Sequence, residues 1–70
     1  MIPLNMADIN EENVIKRVGG KTEVKKHLED IGFVVGGTVT LISKIGDNVI
    51  VNVKGTRIAI SSEMAQKIYV

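Results

Sequence analysis

His27 is the single histidine of a 70-residue chain that has no cysteine. Glu23 lies four residues before it and Asp30 three after it. On a helix this spacing gathers an imidazole and two carboxylates on one face, a donor set that can hold a divalent cation. Lys25 and Lys26 share the segment and oppose that use. His27 is therefore the one metal-ligand candidate, with a packed or solvated histidine as its alternative. The missing thiols exclude disulfide scaffolds, thiolate zinc sites, iron–sulfur clusters and Cys nucleophiles. Gly19-Gly20-Lys21-Thr22 ends like a phosphate loop, but Ile15 stands where the first glycine belongs, so the segment reads as a turn into a helix. Glu11-Glu12 and Glu29-Asp30 are adjacent in sequence, and neighbouring side chains diverge rather than converge as an acid–base pair. No nucleophile–base pair or metal triad can be assembled, and the chain reads as a non-enzyme with no required cofactor.

Lys16, Arg17, Lys21, Lys25 and Lys26 form a basic stretch opposed locally only by Glu23. It is either a docking face for an acidic partner or phosphate, or a solvated helix face. Nine basic and eight acidic side chains leave a net charge of +1, well short of the basic excess typical of polyanion binders. With Phe33 and Tyr69 as the sole aromatics, stacking platforms for single-stranded nucleic acid and aromatic grooves for proline-rich peptides are also absent. No nucleic-acid partner is expected. No apolar run approaches the roughly 20 residues of a membrane span, and no signal-like N-terminus is present, so a cytoplasmic protein that is not membrane-embedded is expected.

The elements that must position these residues read as follows. Residues 1–12 are an opening segment in which Pro3 blocks a helix start and Leu4, Met6 and Ile9 can pin the chain to a core. Residues 13–18 read as one strand, with Val14, Lys16 and Val18 on one face and Ile15 on the other. Val24, Leu28 and Ile31 mark the buried face of a helix over 22–31, with Thr22 as its N-cap. Gly32 takes the left-handed position after the helix, and Phe33 folds back on Leu28. After Gly36-Gly37, residues 38–45 form a strand with Val39, Leu41 and Ile45 on one face. Gly46-Asp47-Asn48 turns into a strand carrying Val49, Val51 and Val53 on one face, and Lys54-Gly55 turns into a strand over 56–60. Ser61 or Ser62 caps a helical turn, and Ile68–Val70 closes the chain. One mainly β domain over residues 1–70 is expected. Its architecture reads as a small antiparallel barrel of about five strands, with one inserted α-helix and a short C-terminal helical turn.

The order of these pieces carries a resemblance. Leu28-Glu29-Asp30-Ile31-Gly32-Phe33, then Gly36, then Gly55-Thr56-Arg57-Ile58-Ala59-Ile60, together with an opening Pro3-Leu4, resembles the ferrous-iron transport protein A (FeoA) family over nearly the whole chain. The sequence departs from the family pattern at Val35, often Pro, and at Ser61, commonly Arg. The resemblance implies an SH3-like fold in a small cytosolic accessory of bacterial ferrous-iron uptake. Its implied partner is the cytosolic part of the FeoB permease, which carries a GTP-binding domain. The same module ends iron-dependent repressors, which implies a metal-sensing module as the alternative, with Fe(II) or another divalent metal as its ligand. The chain opens on Met and has no upstream DNA-binding helices, so the free-standing accessory is expected. The expected partner surface is Lys25, Lys26, Phe33, Val34, Val35, Lys54 and Arg57, framed by turns at Gly32, Gly36 and Gly55.

Overall fold

Alternating valines build the centre of the fold. In the computed structural model, which describes residues 1–70, Val49, Val51 and Val53 are all buried on strand β4 (Asn48–Val53). β4 pairs antiparallel with β3 (Thr38–Ile45) on one side and with β5 (Thr56–Ser61) on the other. β1 (Glu12–Val14) lies beyond β3, which gives the order β1-β3-β4-β5. A second antiparallel sheet joins β2 (Arg17–Val18) to β6 (Ile68–Tyr69). Two helices, α1 (Thr22–Ile31) and α2 (Ser62–Ala65), complete the mainly β architecture. Fourteen buried apolar residues, among them Leu4, Ile15, Leu28, Phe33, Leu41 and Ile68, form one cluster, and no polar or charged residue is buried. No helix is long and apolar enough to cross a membrane.

Six strands in two sheets stand where one barrel of about five was expected. The difference arises at Ile15-Lys16, where the expected strand 13–18 splits. The Ile15 N–H donates to the Gly37 carbonyl and the Ile15 carbonyl accepts from the Gly36 N–H, each at 2.8 Å, beside the four-stranded sheet. One residue later the Lys16 N–H donates to the Tyr69 carbonyl at 2.8 Å, in the other sheet. The chain changes sheets here, and the alternation of side chains resets. Ile15 and Val18 are buried while Val14 is 49% exposed, so Val14 and Val18 do not share a buried face.

A second reset lies in β3. Leu41 pairs with Val51 and Ser43 with Ile50, which leaves Ile42 as an extra residue. Such a bulge moves every following side chain to the opposite face. Lys44 consequently pairs with Val49, and Ile45 pairs with Asn48 and is 59% exposed instead of buried with Val39 and Leu41.

The opening segment also differs from expectation. Pro3, with φ −62, precedes a short 3-10 helix over Leu4–Met6 rather than blocking one; its fixed φ suits that position. Leu4 and Ala7 anchor the segment, whereas Met6 and Ile9 are exposed. α1 starts after Lys21, not Thr22. Lys21 is extended, its carbonyl accepts from the Lys25 N–H at 2.9 Å, and no side chain caps the helix. In α2 the cap is Ser61, whose Oγ accepts from the Met64 N–H at 3.1 Å, the usual way an orphan helix donor is satisfied.

Candidate functional surface

α1 buries Leu28 and packs Val24 and Ile31 partly against the core. That orientation leaves Lys25, Lys26 and His27 exposed. At its C-terminal end the Gly32 N–H donates to the Glu29 carbonyl at 3.0 Å, and the Phe33 N–H reaches the Leu28 carbonyl at 2.9 Å. With Gly32 at φ +130, these two bonds make a Schellman ending. Phe33 and Leu28 are both fully buried. Phe33 therefore leaves the expected partner surface, because the same bonds that end the helix turn its ring into the core.

The chain then forms a tight loop. The Val34 N–H donates to the Gly32 carbonyl at 3.0 Å and the Gly37 N–H to the Val34 carbonyl at 2.9 Å, with Gly36 at φ +90. Val34 is half-buried under this loop, and Val35 stands at its tip, 64% exposed. The β4–β5 turn lies against the helix end: a Cβ built on Gly32 would sit 3.4 Å from Lys54 Cδ and 3.5 Å from Val53 Cγ2. The Lys54 stem thus runs beside Gly32 and its ammonium stays in solvent. Lys54 has φ +52 and Gly55 φ +74, the two positive values that a two-residue hairpin of type I′ requires. Arg57 is exposed on β5, in the cross-strand row Glu12–Thr40–Asn52–Arg57.

Lys54 therefore neighbours Gly32 at the C-terminal end of α1, and the loop carrying Val35 continues directly from Gly32. Arg57 belongs instead to the row across the large sheet. His27, Glu23 and Asp30 do not converge: no group of three or more acidic or histidine side chains is placed to hold a metal ion. The basic stretch is divided between elements. Arg17 lies on β2 with its guanidinium carbon 5.5 Å from the centre of the Tyr69 ring, a cation–π pairing. Sequence reading missed this pair because 52 residues separate Arg17 from Tyr69 and only the β2–β6 register brings them opposite.

The FeoA domain model matches residues 2–70. The chain belongs to the FeoA family. That family is associated with ferrous iron transport. An iron uptake regulatory protein FeoA superposes with a TM-score of 0.86 at 20% identity, over 96% of this chain and 91% of its own. FeoA of Stenotrophomonas maltophilia, solved in complex with zinc, gives 0.85 at 24% identity, over 100% of this chain and 89% of its own. It is described as a prokaryotic SH3 domain protein and put forward as a ferrous iron transport activating factor. ScaR, solved with bound Cd2+, gives 0.85 at 24% identity over 99% of this chain, but that match spans 34% of the ScaR chain. These likenesses establish an SH3-like fold for this FeoA chain. A comparison with curated proteins finds no match.

Proposed function

We propose that this FeoA-family chain is a single-domain cytoplasmic accessory of bacterial ferrous iron uptake, a non-catalytic module that binds the cytosolic part of the FeoB permease. The observation that carries the reading is Lys54. A left-handed conformation costs a side-chain-bearing residue about 1 kcal/mol, and Asn, Asp or Gly are the usual occupants of such a turn. Lys54 holds this position in the open, beside Gly32 at the end of α1. The type I′ turn fixes this conformation and so holds the Lys54 cation in a set place at the helix end, which supports a contact there. Lys25, Lys26 and Lys54 steer an acidic surface, Val35 supplies the apolar anchor, and Arg57 extends the charge along β5. Val35→Asp is expected to weaken permease binding at least tenfold, about 1.4 kcal/mol, at unchanged melting temperature. Unchanged affinity in a titration of the folded variant would remove this surface from the proposal. Val35 is the cleaner site, because Val34 is half-buried and packs within its loop.

A metal-sensing module is the second reading, favoured by the likeness to ScaR solved with Cd2+. It requires His27 as a ligand, helped by Glu23 or Asp30. On that reading His27→Ala abolishes saturable Fe(II) binding measured anaerobically. Equal binding by both proteins, or none by either, excludes His27.

A further inference from the structure

The outer edge of β5 is unused. β5 ends the sheet order, and no backbone hydrogen bond outside the sheet ladders involves residues 56–60. The two-residue turn fixes the phase of the ladder. Val53 and Thr56 flank that turn as a hydrogen-bonded pair, so Thr56, Ile58 and Ile60 bond inward to β4. The N–H and C=O groups of Arg57 and Ala59 point outward with no strand to receive them.

The side chains of this edge are equally incomplete. Val49 and Val51 are fully buried, yet their cross-strand partners Ile60 and Ile58 are only half-buried and pack against the same core. No further strand lies beyond β5 to cover them. Natural edges of this kind are usually shortened, bulged or capped; this one runs six residues with a single charge, Arg57.

Charge is graded along the strand. Lys54 and Arg57 lie at its start. Glu63 follows its end, and the Asp47 carbonyl accepts from the Ser62 N–H at 2.8 Å, which brings Asp47 there as well. A segment running antiparallel with the same grading meets opposite charge at both ends, and a second copy of β5 has that grading. We propose that two copies of this chain pair through β5, antiparallel about a two-fold axis at Ala59. In this register Ala59 faces Ala59 of the second copy, and each Ile58 faces an Ile60. Arg57 faces the Ser61 end beside Glu63, and no Arg57 opposes another. Every outward backbone group of Arg57 and Ala59 gains a partner, and the two four-stranded sheets become one of eight strands. The contact is isologous and closes at two copies.

Ala59→Pro tests this with little harm to the monomer, since the Ala59 N–H lies outside the β4 ladder and edge strands accept proline at such positions. Sedimentation of the wild-type chain up to about 1 mM is expected to show a monomer–dimer equilibrium. Ala59→Ser should keep that equilibrium and Ala59→Pro should remain monomeric. Amide exchange at Arg57 and Ala59 of the wild type should slow as concentration rises, a readout that needs no variant to fold. A wild-type chain that stays monomeric overturns the proposal, as does a dimer whose Arg57 and Ala59 exchange is independent of concentration. If the wild type is monomeric and Ala59→Pro weakens permease binding, the edge belongs to the partner protein and the second-copy assignment is wrong.

Discussion

Val51→Asp is expected to leave the chain unfolded, with no cooperative thermal transition and collapsed amide dispersion. Val51 is fully buried at the middle of β4, between Leu41 of β3 and Ile58 of β5. The substitution forfeits roughly 1.5–3 kcal/mol of apolar burial. It also places a carboxyl with no partner in a core that holds no other polar residue, at a cost of about 2–7 kcal/mol even when the group stays neutral. A domain of this size has about 4–10 kcal/mol of total stability. The sum of the two losses reaches that total. Val51→Ala, which removes two methyl groups and adds a small cavity, should cost only about 2 kcal/mol and remain folded. A folded, cooperatively melting Val51→Asp protein would show that Val51 does not face the core.

Gly32→Val should be the most damaging change outside the buried cluster. A first side-chain carbon fits, because a Cβ there meets its nearest neighbours at 3.4 and 3.5 Å, ordinary contact distances. The backbone opposes the change: φ +130 strains a β-branched residue by about 1–3 kcal/mol. Relaxing that strain would break the bonds from Gly32 and Phe33 to the last helical carbonyls and tilt Phe33 out of the core. Chemical denaturation should show the midpoint falling by the full strain, with Gly32→Ala losing part of it. A near-native midpoint for Gly32→Val would refute the helix ending described above.

The features that were legible in the sequence are those decided by neighbours within a few residues. The 3.6-residue spacing of Val24, Leu28 and Ile31 marked the packed face of α1. Alternation at Val49, Val51 and Val53 marked β4, and Lys54-Gly55 marked its turn. What escaped were features decided by distant pairing. Ile15-Lys16 divides one apparent strand because Gly37 and Tyr69 lie on opposite sides of it. The bulge at Ile42 is dictated by register against β4, and it exposes Ile45 against the local pattern. The candidate surface follows the same division. The exposure of Lys25 and Lys26 was readable from the helix period. The nearness of Lys54 to Gly32 and the cation–π pair of Arg17 with Tyr69 exist only after the strands pair. The inward fold of Phe33 onto Leu28 was readable from Gly32, and the Schellman bonds that produce it remove Phe33 from the expected partner surface.

The central claim, that this chain acts by binding the permease, meets its most direct test in a titration of the purified chain against the cytosolic part of its cognate FeoB, with and without guanine nucleotide. Saturable binding of one domain per site, weakened by Val35→Asp, is expected. The absence of binding in both nucleotide states would contradict the claim.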